Sequence, residues 1–463
     1  MPRTDADRSA ALRLLPSVDQ LLRHDALAAL PKPALTRVVR ELVDELRRGA
    51  LDGAIDPGAM EAQCRPEALV QTITRRCEVL QRRRHQRVYN ATGIVLHTGI
   101  GRAPLAPAAI DAMAGAAGYA IVEVDPITGV RDQRECAVAG LLRDLTGAGG
   151  ALIVNNNAAA TTLMLAALTA GTEVVVSRGE LVEIGGGFRV PDVMKRAGCE
   201  MVEVGATNKT HLRDFRGATT ERTSAYLKVH PSNFRIEGFA STPSVRELRE
   251  LADAQDGEVL VLDDLGSGLL WNDPLPGLVD EPRVATSLEM GAHVTCFSGD
   301  KLLGGPQCGI LVGDSELVAR CRAHPLYRAM RCDKLTHAAL EATLLLYRDG
   351  DPLQAVPTLR MLSATPEDLE ERAQALAMLL SEHGAEVVRS DSFAGSGANP
   401  AKPLPSFATA FAGGDRECDL LRAAQPVSVF ARVADGKVLL DARTLLLEDL
   451  DAVALAVRQA LHA

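Results

Sequence analysis

Residues 297–313 read FSGDKLLGGPQCGILVG. A single lysine, Lys301, sits between an aspartate and a Leu-Leu-Gly-Gly turn, with apolar runs on both sides. The apolar runs HVTCFSGD and CGILVGD read as strands, so the lysine falls at the mouth of a strand, among loose polar residues. Outward from it the same punctuation repeats. ALIVNNN, EVVVSRGE, SAYLKVH and EVLVLDDLGSG are strand-like, and AAATTLMLAALTA after the first of them reads as a helix. Strands alternating with helices imply a mainly parallel sheet with helices on both faces. Runs apolar throughout, such as VLVL, suit a sheet buried on both sides.

The flanking regions differ. Residues 1 to about 85 look helical: SVDQLLRHDALAAL and PALTRVVRELVDELRRGAL carry apolar residues at three- and four-residue spacings. Ser17 and Thr36 stand at expected helix starts, and Asp52-Gly53 and Asp56-Pro57-Gly58 at turns. After about 345 come an amphipathic helix (PEDLEERAQALAMLLSEHG), a Gly/Pro-rich loop and the strands SFATAFAG and VSVFARVADGKVLLDAR. The latter carries a hairpin at Asp435-Gly436, and a closing helix follows. The expected organisation is a helical domain over 1–85 with a linker to about 90, a large α/β domain over 90–345 and a small α+β domain over 346–463.

Composition bounds the function. The chain has 463 residues, 47% hydrophobic and 3% aromatic; at roughly 100–200 residues per domain that is two to four domains with ample core. No run reaches the ~18 apolar residues of a membrane span, and the start, MPRTDADRSAALRLLPSVDQ, does not resemble a secretory signal. Nine dispersed cysteines without a CxxC pair read as buried small hydrophobes. They argue against a zinc site or disulfide framework and for a reducing cytoplasm. Net charge is −10, against DNA binding, but it is unevenly spread. Residues 1–90 hold 16 Lys and Arg against 12 Asp and Glu, and the remainder 34 against 48. TRRCEVLQRRRHQR, with Arg82, Arg83 and Arg84, could follow a phosphate backbone.

Three constellations carry chemistry. Ser298-Gly299-Asp300-Lys301 has the Ser-x-x-Lys spacing at which a lysine amine condenses with the aldehyde of pyridoxal phosphate while a hydroxyl reaches the phosphate. VLVLDDLGSG ends a strand in two acids. At a strand's carboxyl end Asp264 or Asp263 could hold a pyridine nitrogen protonated. IVNNNAAATTLML joins a strand to a helix start, where Asn156, Asn157 and Ala158 offer free amides to a phosphate. Phosphate cup, ring acid and Ser-x-x-Lys in that order form the layout of a fold-type I pyridoxal phosphate enzyme.

Longer blocks are more specific. NATGIVLHTGIGRAPL, VNNNAAATTLML, SRGELVEIGGGFRVPDVM, VGATNKTHLRDF, KVHPSNFRIEGF, DLGSG, FSGDKLLGGPQCGI and HPLYRAMRCDKLTHAALEATL resemble the bacterial L-seryl-tRNA(Sec) selenium transferases, or selenocysteine synthases, over nearly the whole chain. LPSVDQLL resembles that family's amino-terminal domain. The resemblance implies conversion of seryl-tRNA(Sec) to selenocysteinyl-tRNA(Sec) with selenophosphate, by elimination of water to a dehydroalanyl-tRNA intermediate and addition of selenium. It implies that Lys301 binds the cofactor and moves protons, Asp300 assists, Asp264 in DLGSG pairs with the ring nitrogen, and Arg102, Arg328 and Arg331 bind the selenium donor. A guanidinium fork suits a tetrahedral oxyanion. It further implies a tRNA-docking amino-terminal domain and a homodecamer, a pentamer of dimers. Two segments depart from the family pattern. HTGIGRAPL has Gly99 and Ile100 where the family has Asn-Leu, and TGVRDQR has Asp132 where a glycine is expected. Two rivals share parts of the pattern: a pyridoxal phosphate lyase eliminating water or ammonia from a small molecule, and a non-catalytic tRNA-binding scaffold.

Overall fold

The computed structural model describes residues 5–81, 85–185, 187–231, 234, 236, 238–395 and 402–462. The chain divides into two compact units between Arg87 and Val88.

The first unit is helical: α1 (Asp5–Arg13), α2 (Val18–Leu22), α3 (Lys32–Leu51), α4 (Pro57–Gln63) and α5 (Pro66–Gln81). Ser17 caps α2, its hydroxyl accepting the Gln20 amide at 3.1 Å. Asp56 caps α4 through the Ala59 amide at 2.7 Å. Thr36 does not start a helix. A proline in the first turn sets the start of α3 at Lys32, and the Thr36 hydroxyl donates back to the Lys32 carbonyl at 2.8 Å. Leu35, Val38, Val39, Leu42, Val43 and Leu46 form the buried stripe of α3, at the spacing of one helix face. Arg76 on α5 donates to Glu45 on α3 at 2.8 Å. Part of the basic run is thus spent inside the unit, whereas Arg75 is exposed. Arg82, Arg83 and Arg84 lie outside the described residues.

The second unit opens with two short strands, β1 (Val88–Asn90) and β2 (Ile94–Leu96). Then come β3 (Gly150–Val154), α6 (Asn157–Thr169), β4 (Glu173–Ser177), β5 (Glu200–Val204), β6 (Thr223–Val229), β7 (Leu260–Gly266), α7 (Val284–Glu289), β8 (Val294–Ser298), β9 (Gly309–Gly313) and α8 (Pro325–Met330). The seven strands from β3 to β9 form one sheet in the order β3-β9-β8-β7-β6-β4-β5. From β8 to β5 all neighbours run parallel; β9 is antiparallel to β8 and β3. Period-2 alternation sorts the side chains. Leu152, Val154, Leu260, Leu262 and Cys296 share a core with α6, while Ala151, Ile153, Phe297 and Ile310 pack on the opposite face. Every residue of β4 and β7 is buried.

Toward the carboxyl end come α9 (Pro366–Leu379), β10 (Glu386–Gly395), β11 (Leu404–Ala412), β12 (Ser428–Phe430), β13 (Arg432–Ala434), β14 (Lys437–Asp441) and α10 (Leu450–Leu461), among other helices. A second sheet has the order β13-β14-β11-β10-β2, and β1 pairs with β12. Residues 88–96, which sequence alone groups with the large domain, therefore hydrogen-bond to carboxy-terminal strands. The hairpin at Asp435-Gly436 is present: both residues have positive φ, 51° and 72°, and Ala434 pairs with Lys437, as a tight two-residue turn requires.

One acid organises this second sheet. Asp441 is fully buried and accepts hydrogen bonds from Ser390, Ser392 and Ser406 at 2.8, 2.8 and 2.9 Å. The Arg443 amide adds one at 3.1 Å and the Arg432 guanidinium one at 3.2 Å. Removing the carboxylate takes this acceptor from three hydroxyls and the Arg443 amide, while Arg432 keeps the Asp391 carbonyl at 3.0 Å. Asp441→Ala should lower the unfolding free energy by about 3 kcal/mol, read as a lower denaturant midpoint. A loss below about 0.5 kcal/mol, the scale of a surface change, would refute this account of the sheet.

Candidate active site

Lys301 follows β8 at the carboxyl edge of the large sheet. The Gly299 amide bonds the Cys308 carbonyl and the Gly305 amide bonds the Gly299 carbonyl, both at 2.9 Å. The intervening loop is closed on itself. The Leu302 amide ties it to the Ser267 carbonyl, just past β7, at 3.1 Å. Lys301 is 6% exposed, and its amine joins none of the ion pairs among the described residues. Burial pushes its pKa below the ordinary lysine value; Asp264, Asp300 and Glu281 oppose that shift and Arg102 reinforces it. An amine lowered in this way is closer to the neutral, nucleophilic form.

The two acids of β7 part company. Asp264 shares the strand parity of Leu260 and Leu262 and so faces α6. Its carboxylate accepts from Asn157 Nδ2 and Thr161 Oγ1, each at 2.8 Å, and from the Gly266 amide at 3.1 Å. Asp263 points to the other face, where Ser287 of α7 donates to it at 2.5 Å. Of the two acids, Asp264 is the one whose charge bears on Lys301.

At the start of α6, Asn156 is the N-cap, its side chain accepting the Ala159 amide at 2.9 Å. The Ala160 amide bonds the Asn156 carbonyl at 3.1 Å. The first-turn amides of Asn157 and Ala158 are outside those bonds. The Asn157 side chain reaches Asp264, and its Oδ1 is buried without a hydrogen-bond partner among the described residues. β9 presses against this turn: a Cβ on Gly309 would lie 2.1 Å from the Asn156 carbonyl oxygen. Ser298, at the end of β8, is 5% exposed.

Of the three arginines, Arg102 reaches the lysine loop. Its Nη1 donates to Asp300 Oδ2 at 2.7 Å, and the Ala103 amide bonds the Asp300 carbonyl at 3.3 Å. Arg102 has φ 60°, a conformation that costs a branched-out side chain of order 1 kcal/mol and collects at functional sites. Arg331 is paired with Glu123 at 3.5 Å, and Glu123 also binds Arg134 and Arg131, both at 2.9 Å. The Asn155 amide bonds the Met330 carbonyl at 2.9 Å, which brings the segment before Arg331 to the end of β3. Arg328, on α8, is exposed. Asp132 is exposed, in the loop that carries Arg131 and Arg134.

Three participants escape the sequence reading. Thr161 lies one turn after Asn157 on the same helix face, one of three threonines in a largely apolar helix. Glu123 collects three guanidinium groups but stands in no recognisable motif. Glu281 has a carboxylate 1% exposed, its Oε1 3.6 Å from His230 Nε2 but without a hydrogen bond among the described residues. It and His230 line a cavity of about 620 Å³ that also meets Asp263, Glu180 and Lys228.

A dry amine, a carboxylate fixed across from it and uncapped helix amides form a donor set that suits pyridoxal phosphate. The unpartnered Asn157 oxygen shows the pocket's polar groups to be incompletely satisfied by the protein alone. Comparison with known proteins agrees. The sequence profile of the family described as L-seryl-tRNA selenium transferase matches residues 88–446, and that described as selenocysteine synthase N terminal matches residues 12–47. A protein from Solidesulfovibrio magneticus named L-seryl-tRNA(Sec) selenium transferase is 46% identical, over 97% of this chain and 98% of its own. One of that name from Moorella thermoacetica is 45% identical, over 97% of each.

The chain belongs to the L-seryl-tRNA selenium transferase family.

Its fold also matches a solved D-glucosaminate-6-phosphate ammonia-lyase, with a TM-score of 0.58 at 22% identity over 82% of this chain and 96% of that one. The large unit is a fold-type I architecture, as the order of motifs implied. All nine cysteines of this selenium transferase family member are free. Cys136 is exposed and Cys64 half-buried, contrary to the expectation that each is buried. None of the described helices is long and apolar enough to cross a membrane.

Burial raises the pKa of Asp263 to about 6, against the opposing hydrogen bond from Ser287. An acid raised above its unfolded value near 3.9 costs the fold nothing at pH below that value. The cost grows as pH rises through 6 and is complete above it. Asp263→Asn should therefore match the parent near pH 3 and exceed it by about 3 kcal/mol at pH 8. Equal denaturant midpoints for the two proteins at pH 8 would count against a strained Asp263.

Proposed function

We propose that this protein converts L-seryl-tRNA(Sec) to L-selenocysteinyl-tRNA(Sec), with pyridoxal phosphate as cofactor and selenophosphate as selenium donor. The observation that carries the reading is the buried Lys301 amine, set against Asp264 on one side and the Arg102–Asp300 pair on the other, in a chain of this family.

Lys301 would hold the cofactor's aldehyde carbon and move the proton at the seryl Cα. Asp264, oriented by Asn157 and Thr161, would hold the pyridine nitrogen protonated. The amides of Asn157 and Ala158, the Asn156 turn and the Ser298 hydroxyl would take the phosphate. Pyridoxal phosphate, when bound, supplies an electron sink that stabilises negative charge at Cα. Asp300 fixes the Arg102 fork beside the reacting atoms and can carry a proton to the departing hydroxyl. Arg102, Arg328 and Arg331 would bind the phosphate part of the donor so that selenium meets Cβ. Arg331 is held by Glu123, so donor binding exchanges one carboxylate for another anion rather than gathering a free side chain.

The domains take separate roles in this reading. Residues 1–85 dock the tRNA body, with Arg82, Arg83 and Arg84 on the backbone phosphates. Residues 90–345 hold the cofactor, and 346–463 complete the site. The working assembly is a cytoplasmic homodecamer of five dimers. The acidic excess outside residues 1–90 discourages nonspecific RNA binding.

The test is conversion of seryl-tRNA(Sec) by the purified protein with selenophosphate. Product is expected, with a visible absorbance from the bound cofactor. Lys301→Ala should remove that absorbance and slow conversion by roughly 10³-fold or more. A cofactor-binding protein that leaves seryl-tRNA(Sec) unchanged would point instead to elimination from a small molecule. Arg331→Ala should raise the KM for selenophosphate by about tenfold or more, the value of a charge-assisted hydrogen bond. An unchanged KM would remove Arg331 from the donor site. Tenfold more salt should weaken tRNA binding steeply, and a flat response would exclude phosphate contacts as its source.

A further inference from the structure

The sequence contains no cysteine pair spaced for zinc, yet the fold assembles another set of ligands far from the lysine pocket. Glu382 and His383 form the short turn after α9, and His462 follows α10, almost 80 residues later in the chain. The three side chains converge. His383 Nε2 is 3.7 Å from Glu382 Oε1, and His462 Nε2 is 3.9 Å from the same oxygen. One ligand atom from each lies within 4.8 Å of the others. The imidazole rings stand 5.1 Å apart and tilted. His383 is anchored against Phe411, 6.3 Å away, and its Nε2 is buried without a hydrogen-bond partner among the described residues.

We propose that Glu382, His383 and His462 form a transition-metal site, with zinc(II) the fitting ion, that clips the carboxy-terminal helix α10 to the end of α9. Two imidazoles and one carboxylate select zinc and its neighbours over magnesium or calcium, which prefer all-oxygen sets. Bonds of 2.0–2.2 Å put tetrahedral ligands about 3.4 Å apart. The observed separations close to that with small rotations of Glu382 and His462, which are 51% and 65% exposed. The buried His383 nitrogen gains the partner it lacks, and the solvent side leaves the fourth position to water. Arg458 is the one opposing charge in contact, its Nε 3.9 Å from Glu382. It is tethered elsewhere, because Nη1 donates to the Leu379 carbonyl at 3.0 Å.

The test uses the full chain, dialysed against EDTA and then titrated calorimetrically with zinc(II). Because the exposed Cys136 thiol could also take zinc, the decisive comparison is with His462→Ala and Glu382→Gln, both exposed positions that should fold. The expected result is a site on the parent chain whose zinc affinity falls at least tenfold in each variant. Cobalt(II) in its place should show tetrahedral absorption bands that the variants lose. Zinc should raise the Tm of the parent and leave that of His462→Ala where it was. Zinc binding of equal strength in parent and variants, or none in the parent, overturns the proposal.

Discussion

An amine held out of water is the constraint on which the catalytic unit turns. A lysine 6% exposed is costly to keep charged and useful when it is not. Keeping it there takes a sheet buried on both faces, with β7 buried along its whole length, and a lysine loop closed by the Gly299–Cys308 and Gly305–Gly299 bonds. The acids around it do not cancel that effect. Burial, reinforced by Arg102, outweighs Asp264, Asp300 and Glu281 in the direction of the Lys301 shift. Asp264 is itself occupied by Asn157 and Thr161, and Asp300 by Arg102, so neither forms a tight ion pair that would fix the amine as a cation.

The same arrangement explains why α6 is placed as it is. One helix supplies a hydrogen-bonded orientation to Asp264 through Asn157 and Thr161 and presents its first-turn amides at the strand end. Both tasks require the β3–α6 turn to sit against the start of β9, and the approach at Gly309, where a Cβ would fall 2.1 Å from the Asn156 carbonyl oxygen, admits no side chain. The antiparallel insertion of β9 between β3 and β8 is what brings the β3–α6 turn and the lysine loop to neighbouring strands, although almost 150 residues separate them.

Much of this is legible in the sequence, and the limits are physical. The strands of the large sheet show as apolar runs because both of their faces are buried, and Lys301 shows because a polar loop interrupts them. Asp263 and Asp264 are indistinguishable as letters. They separate only once the parity of β7 is fixed by its neighbours, since adjacent residues on a strand face opposite ways. Thr36 looks like a cap, but the proline three residues before it had already started the helix. β1 and β2 are too short to reveal their partners, which lie more than 290 residues away and are chosen by pairing rather than by local pattern. Glu281 and the Glu382–His462 pair belong to no spacing at all, because long-range folding alone brings their partners to them, and Glu123 adds the distant Arg331 to its near neighbours Arg131 and Arg134.

The charge pattern of the first unit changes meaning when the fold is considered. Arg76 belongs to the basic run by sequence, but it is committed to Glu45, which that pairing holds below the usual glutamate range. Its loss would loosen α5 from α3 as well as remove a positive charge. Arg75, one residue earlier and exposed, is free of that duty. A run of arginines on one helix is therefore a mixture of scaffold and surface, divided by helical periodicity. Arg76, spaced to face α3, is consumed in packing, while Arg75, about a third of a turn away, is exposed.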